Sequence, residues 1–226
     1  MKKILFSLAL TTLSLNFLSA QIETGISLGP SVSNMYVGGV NNLIRDPDPF
    51  VGFKGGVQMI YTPVSSFSLV SGINYHSTGF VVRQGLGFEV FDIEIPAEVK
   101  AITRLHFLEM PILARLNLGQ GKVKAYLEAG PQLSLAMDGE VITRANFLID
   151  FRLGTFDINM NNSNFRQFEL AGVAGAGLKW DLGENMGMNL GIQYLHGFTD
   201  LTSEPIVDIH TSRYAVSGQL GVQYKF

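Results

Sequence analysis

The last fourteen residues of the chain alternate strictly between apolar and polar positions. In the segment RYAVSGQLGVQYKF, 213–226, the even positions carry Tyr, Val, Gly, Leu, Val, Tyr and Phe, and the odd positions carry Arg, Ala, Ser, Gln, Gly, Gln and Lys. This alternation predicts a β-strand with one apolar and one polar face. The segment is long for a strand of a soluble protein, and aromatic residues stand near both ends of its apolar face. Both features are typical of a strand that crosses a bilayer.

The same pattern recurs in seven further segments, which turn-forming residues separate. Together with 213–226, the predicted strands are 22–30, 51–61, 67–76, 105–117, 123–135, 167–180 and 187–196. A closed barrel satisfies every backbone hydrogen bond within lipid, and eight is the smallest even strand number of single-chain outer-membrane barrels. The sequence therefore predicts an all-β fold, an eight-stranded antiparallel up-and-down transmembrane β-barrel.

The links between the predicted strands alternate between short and long. The short links are 62–66, 118–122 and 181–186, and the long ones are 34–50, 79–101, 136–165 and 197–210. Outer-membrane barrels have short periplasmic turns and long outer loops, so both termini should be periplasmic. The aromatic residues then form two girdles. The periplasmic girdle comprises Tyr61, Phe67, Trp180, Tyr224 and Phe226, and the outer girdle comprises Phe53, Tyr75, Phe168, Tyr194 and Tyr214.

Two of the long outer links contain apolar runs. The stretch FLIDFRLGTFDINM, within 136–165, alternates enough to predict a strand pair above the membrane, and 85–96 holds an apolar and acidic run. Exposed apolar segments of this kind indicate a surface for a partner.

The N-terminus and the composition fit an exported protein. Residues 1–20 contain two lysines, an apolar stretch and a Leu-Ser-Ala ending, which predicts a secretory signal peptide cleaved before Gln21. The predicted domains are therefore a signal peptide, 1–20, and an outer-membrane β-barrel domain, 21–226. Removing Lys2 and Lys3 from the 16 basic residues leaves 14 against 19 acidic ones, a net charge of about −5 that argues against a nucleic-acid partner.

The residues that could carry chemistry form no recognisable catalytic or metal-binding motif. Cysteine is absent, which excludes disulfides and thiol nucleophiles. The four histidines, His76, His106, His196 and His210, lie on different segments without metal-ligand spacing. The run AGVAGAG, 171–177, precedes no predicted helix and indicates small residues in a barrel wall, since a phosphate cradle needs a helix N-terminus. No G-x-S-x-G elbow positions a serine. We therefore expect no catalytic residue, no metal and no cofactor.

Ten charged side chains occupy the alternate strand positions that face the barrel interior, the positions of inward parity. A lumen of eight strands is just wide enough for side chains to fill it, so these ions should pair and close it. The alternative is a narrow polar path for a small solute, which an excess of inward bases favours. The inward acids are Glu23, Glu109, Glu128 and Glu169, and the inward bases are Lys54, Arg115, Lys124, Lys179, Arg213 and Lys225.

The hairpin at 118–122 predicts a structural charge cluster in the lumen. The inward positions on either side of the turn place Arg115 opposite Lys124 or Tyr126, and leave Glu128 within one or two inward positions. An unpaired ion costs several kcal/mol where water is scarce, so bases and carboxylates should bond to each other there. The predicted lumen cluster comprises Glu109, Arg115, Lys124, Glu128 and Lys179.

A second charge pair is predicted at the seam where the last strand meets the first. Glu23 and Lys225 both face inward near the periplasmic end of these strands. We expect them to lie close enough to form a seam pair.

The chain resembles the PorT-like porin-family proteins of the Bacteroidetes group. The resemblance rests on the signal peptide ending in SAQ, on FLEMPILARLNL at 107–118, on YLEAGPQLSL at 126–135, on GAGLKW at 175–180 and on the terminal aromatic residue. It covers essentially the whole mature chain. It implies an eight-stranded outer-membrane barrel, and some relatives are linked to type IX protein secretion.

Three classes of function remain open from the sequence. The first is a non-enzymatic structural or docking barrel that binds another envelope protein, and the mass of its outer loops favours it. The alternatives are a narrow small-solute channel and an outer-membrane enzyme. The expected surroundings are the lipid bilayer of the outer membrane and an envelope protein partner, with a monomeric barrel and no nucleic acid.

Overall fold

The computed structural model describes residues 21–38, 47–90, 93–146, 150–158, 166–199 and 210–226. The predicted signal peptide lies outside the described residues. No helix within them is long and apolar enough to cross a membrane. The strands are β1 (Gln21–Gly38), β2 (Asp48–Val64), β3 (Phe67–Val90), β4 (Ile93–Leu118), β5 (Val123–Asn146), β6 (Asp150–Asp157), β7 (Phe168–Asp181), β8 (Met186–Gly197) and β9 (His210–Lys225).

Eight of these strands close into a ring. The first five strands, β1 to β5, pair antiparallel in chain order. Within the ring, β5 then pairs with β7, β7 with β8, and β8 with β9. The pairing of β9 with β1 completes the ring. Closure leaves no open sheet edge within the ring, which is the condition for strands in lipid. The predicted fold class, an all-β antiparallel barrel of eight strands, is confirmed.

The outer links carry more strand than the sequence predicted. β3 and β4 pair continuously out to Val90 and Ile93, so most of the predicted loop 79–101 is a long hairpin. Of the strand pair predicted from FLIDFRLGTFDINM, the structure describes one strand, β6, and its partner is the outer part of β5. Polar residues blur the alternation beyond the membrane, but backbone pairing continues there because it needs no apolar face. Four strands, β3 to β6, therefore form an outer sheet.

The two faces of the ring reverse the arrangement of a soluble protein. Outward side chains such as Ile26, Val57 and Leu220 are apolar and exposed, whereas inward polar side chains are buried. Six of the predicted girdle aromatics are exposed, namely Phe53, Phe168, Tyr194, Tyr214, Tyr224 and Phe226. An apolar exterior around a polar interior is the pattern of a barrel in a bilayer.

The hairpin between β4 and β5 has another register than the sequence predicted. Arg115 stands directly opposite Glu128, and not opposite Lys124 or Tyr126. The turn is wider than expected because the first backbone pair joins Leu118 to Ala125. Gly119 and Gly121, inside this turn, have φ values of 94° and 121°, a left-handed region that favours glycine.

The closed ring predicts the behaviour of the protein on gels. The folded barrel should resist cold SDS and migrate differently after boiling, because every strand of the ring is hydrogen-bonded to two neighbours. Electrophoresis of boiled and unboiled samples, with circular dichroism in detergent, measures this. A helical spectrum, or identical migration of both samples, would contradict the fold.

Candidate functional site

The outer half of the lumen is organised around the buried carboxylate of Glu109. Its Oε2 lies 2.9 Å from Nζ of Lys54, and its Oε1 lies 2.8 Å from Nδ1 of His76 and 3.0 Å from Nη2 of Arg213. Arg213 also donates to Glu169, at 2.5 Å. These five residues, the outer cluster, come from β2, β3, β4, β7 and β9 and are all buried. The cluster therefore ties several walls of the ring together.

Further side chains complete the surroundings of the outer cluster. The guanidinium carbon of Arg213 lies 4.1 Å from the centre of the Phe107 ring, a cation–π contact. Nη2 of Arg213 also donates to Ser134, and Nζ of Lys54 donates to Gln132 and Gln193 at 3.5 and 3.4 Å. The charges are therefore enclosed by polar and aromatic groups.

Ser31, His76 and Glu109 lie in the order of a Ser–His–acid triad. Oγ of Ser31 lies 2.7 Å from Nε2 of His76, whose Nδ1 faces Glu109. However, the exposure of these residues is 1%, 0% and 0%, and Glu109 is shared with Lys54 and Arg213. The hydroxyl of Ser217 also donates to Oγ of Ser31, at 3.0 Å. The hydroxyl is thus held within a closed network, where a substrate has no access.

A middle cluster of Arg115, Tyr126, Glu128 and Gln193 lies closer to the periplasmic side. Nη2 and Nε of Arg115 donate to Oε2 of Glu128 at 2.7 and 2.9 Å. Nε2 of Gln193 donates to Oε1 at 2.7 Å, so both carboxylate oxygens are bonded. The guanidinium of Arg115 lies 4.1 Å above the Tyr126 ring. Charge-assisted hydrogen bonds of this kind are roughly twice as strong as those between neutral groups.

Glycines of the neighbouring strands β7 and β8 make room for the middle cluster. A Cβ atom on Gly177 would lie 2.5 Å from Cζ of Tyr126, and one on Gly191 would lie 2.3 Å from the tyrosine hydroxyl oxygen. Tyr126 therefore lies flat across these two glycines, an aromatic cover of bare backbone. The run AGVAGAG lies on β7, in the barrel wall, where its small residues leave space for neighbouring side chains.

A periplasmic cluster contains Glu23, Lys124, Lys179, Asp181 and Lys225. Nζ of Lys179 donates to both oxygens of Glu23, at 2.6 and 2.7 Å. Asp181 accepts from Lys124 at 3.2 Å and from Lys225. The backbones of Glu23 and Lys225 stand opposite each other at the seam. Glu23 has Lys179 as a charged partner and Lys225 has Asp181, and the close approach of Glu23 and Lys225 themselves stays a prediction.

The five residues predicted as one lumen cluster belong to three clusters. Arg115 and Glu128 lie together in the middle cluster, Glu109 belongs to the outer cluster, and Lys124 and Lys179 belong to the periplasmic cluster. Position along the barrel axis depends on strand tilt and stagger, which parity does not reveal.

Three residues of the lumen clusters and their surroundings, Ser31, His76 and Asp181, are not among the predicted inward residues. His76 has the opposite parity to the girdle residue Tyr75 on the same predicted strand, so its inward position could be inferred. The partners of His76 could not be inferred, because Ser31 and Glu109 are 45 and 33 positions away in the sequence. Asp181 was assigned to a turn, but β7 continues through it.

The remaining histidines give no metal site in the described part of the chain. His106 contacts the Tyr75 hydroxyl through Nδ1, and the His196 ring centre lies 5.8 Å from that of Phe198. The side chain of His210 lies outside the described residues. Among the side chains that the structure describes, no group of three or more His, Asp or Glu residues could hold a metal ion.

Comparison with known proteins supports the membrane assignment. The family model described as outer membrane protein beta-barrel domain matches residues 14–203. The comparison with curated protein sequences finds no match.

Several solved outer-membrane proteins are similar in fold. Neisserial surface protein A is 14% identical, with 92% of this chain and 99% of that chain covered and a TM-score of 0.47. OprG from Pseudomonas aeruginosa is 14% identical, with 92% and 95% covered and a TM-score of 0.44. The outer membrane protease OmpT from Escherichia coli is 11% identical, with 91% and 97% covered and a TM-score of 0.47. At such identities a likeness concerns the fold alone.

The family match and the ring agree with each other. The matched residues span more than half of the chain, and the ring has an apolar exterior and a polar interior. The protein thus belongs to the family of outer membrane protein β-barrel domains and lies in the outer membrane.

Proposed function

We propose that the protein is a non-enzymatic, non-conducting barrel of the PorT-like type that acts by docking another envelope protein. In this proposal the chain is exported by its signal peptide, 1–20, and works as a monomeric barrel, 21–226. The resemblance to PorT-like proteins adds an association with protein secretion.

The closed lumen is the observation that carries this proposal. Eight of the ten predicted inward charges are buried with an ion-pair partner, namely Glu23, Lys54, Glu109, Arg115, Glu128, Glu169, Arg213 and Lys225. Opening a path for a solute would separate these charges in a space with few waters, which is unfavourable by several kcal/mol per ion. A closed lumen favours a structural or docking role over transport.

The outer sheet offers a surface for the partner. Leu153 and Phe156, both on β6, are 63% and 66% exposed. β6 pairs with the part of β5 that extends beyond its pairing with β7. These side chains therefore lie at the extracellular end of the barrel. Apolar side chains exposed outside the lipid belt are typical of a protein contact.

Conductance distinguishes the docking barrel from the channel. We expect the purified wild-type protein to show no sustained conductance in planar bilayers, because paired side chains fill its lumen. Single-channel recording measures this, with a general porin as the positive control. Large and steady conductance from the wild type would contradict the closed lumen and favour the small-solute channel.

Breaking the middle cluster should destabilise the barrel. Glu128→Ala leaves the buried guanidinium of Arg115 without its carboxylate, a loss of about 3–5 kcal/mol for a buried pair. The temperature at which the gel shift disappears should fall. Glu184→Ala removes an exposed carboxylate from a periplasmic turn and should leave this temperature unchanged. If the gel shift disappears at the same temperature in both variants, the Arg115–Glu128 ion pair does not stabilise the barrel.

The Ser31–His76–Glu109 contact is the observation that favours the enzyme alternative. Because Ser31 is buried and no substrate reaches it, we expect the wild type to resist labelling by a fluorophosphonate probe, just as Ser31→Ala does. Fluorescence on a gel measures labelling, with a known serine hydrolase as the positive control. Labelling of the wild type that Ser31→Ala abolishes would instead support a hydrolase.

The docking surface can be tested in native membranes. We expect a partner to co-purify with the wild type and to be lost from Leu153→Ser/Phe156→Ser, because these substitutions remove the apolar contact. Quantitative mass spectrometry measures recovery. The control Val64→Ser/Leu182→Ser changes two exposed apolar residues at the periplasmic end, each 59% exposed. Loss of the partner only in this control would place the contact on the periplasmic side.

A further inference from the structure

A chain of hydrogen bonds with one direction passes through His76. The hydroxyl of Ser217 donates to Oγ of Ser31, on β1, at 3.0 Å. Oγ of Ser31 lies 2.7 Å from Nε2 of His76, and Nδ1 of His76 lies 2.8 Å from Oε1 of Glu109. An ionised carboxylate only accepts, so Nδ1 carries the hydrogen and Nε2 of the neutral ring accepts from Ser31. A proton on Nε2 would remove this acceptor, so the chain requires the neutral imidazole.

The outer cluster is electrically balanced while His76 is neutral. Lys54 and Arg213 carry its two positive charges, and Glu109 and Glu169 carry its two negative charges. All four of these side chains are buried. Glu169, on β7, pairs with Arg213, so its charge is already used within the cluster. Protonation of His76 would therefore add a third cation to an enclosed and balanced set of charges.

The groups that face the His76 ring make a third positive charge unfavourable. Lys54 on β2 stands directly opposite His76 on β3, and like charges in opposed positions destabilise a sheet. Nη1 of Arg213, from β9, lies 3.5 Å from Nδ1 of His76. From β4 come Glu109 and, directly opposite His76, the uncharged Phe107. In the described part of the chain, the one carboxylate that contacts the ring is thus already shared by two other cations.

Acid should therefore act on the outer cluster through His76. Histidine gains its proton between about pH 8 and pH 5, and an unbalanced buried ion costs several kcal/mol. Protons consequently favour a state of the barrel in which the ring reaches water. The closed cluster is stable at neutral pH, where the ring is neutral, and loses stability as the pH falls.

The middle cluster has no comparable sensor. It consists of Arg115, Tyr126, Glu128 and Gln193, and contains no histidine. Arg115 and Glu128 balance each other's charge, and both are buried. The two clusters touch through Gln193, whose Oε1 accepts from Lys54 at 3.4 Å. Moderate acid should therefore leave the middle cluster closed.

We propose that His76 is an acid-sensitive switch, whose protonation separates Lys54 and Arg213 from Glu109 and admits water to the outer half of the lumen. The middle cluster keeps the rest of the lumen closed to ions. This inference rests on the closed lumen of the proposed function and gives the outer half of that lumen two states.

A single thiol beside His76 can report the opening. Thr78, two positions beyond His76 on β3, is 1% exposed and stands opposite the buried Leu105. Because the chain has no cysteine, Thr78→Cys supplies the only thiol. The full mature barrel, refolded in zwitterionic micelles, is treated with dithiodipyridine, which labels thiols in acid as well as at neutral pH. Each labelling rate is divided by the rate for the same variant unfolded in urea at the same pH.

The expected result depends on the proton that His76 gains. We expect labelling of Thr78→Cys to be roughly tenfold faster at about pH 5 than at about pH 7.5, because acid populates the hydrated state. His76→Gln/Thr78→Cys should stay slow at both pH values, since glutamine bonds to the same neighbours and gains no proton. The control His196→Gln/Thr78→Cys changes an exposed histidine and should keep the acceleration. Equal acceleration with and without His76 would assign the effect to the carboxylates and overturn the switch, as would slow labelling of Thr78→Cys in acid.

Conductance separates failure of the switch from failure of the proposed function. The wild type should pass no sustained current at about pH 7.5 or at about pH 5, because the middle cluster stays closed. Current at the higher pH would contradict the closed lumen itself, and current at the lower pH alone would overturn the closure assigned to the middle cluster. Heat-modifiable migration verifies the fold of each variant at both pH values, and His76→Asn replaces His76→Gln if that variant fails to fold.

Discussion

The structure depends on one constraint, the absence of water as a hydrogen-bond partner for strands in lipid. It requires every strand to have two neighbours, which the contact between β9 and β1 provides. A ring of only eight strands is narrow, so its interior holds side chains in place of a channel. Those side chains must then supply one another's hydrogen-bond and charge partners. The buried Arg213, for example, pairs with both Glu109 and Glu169. Closure of the ring and pairing of the charges thus have one physical origin.

Much of the fold could be predicted because the bilayer imposes a period of two on every strand. The terminal strand 213–226 has an apolar face that lipid contacts and a polar face that the lumen buries, so parity alone assigns each side chain to a face. Beyond the membrane this constraint disappears. There, β3 and β4 continue as a hairpin that apolar alternation did not predict, since water accepts either face of a sheet.

The sequence predicted which charged residues face the barrel interior, but not which acid pairs with which base. Parity correctly turns Glu23, Arg115 and Glu128 inward. Which base meets which acid depends on strand stagger and on the width of turns, as the pairing of Arg115 with Glu128 illustrates. The pairing of Glu23 with Lys179 joins residues 156 positions apart, beyond the reach of local pattern.

The seam between the first and last strands has a consequence for biogenesis. Gln21 begins β1 and Lys225 ends β9, so the ring closes only through residues at opposite ends of the chain. Contacts of such long sequence separation form slowly, and the other strand pairs cannot substitute for them. Until β9 is in place, the partly assembled sheet has two edges with unpaired backbone N–H and C=O groups, which can pair with another chain. Assembly therefore favours conditions that shield both edges until the last strand arrives, because without β9 the ring cannot close.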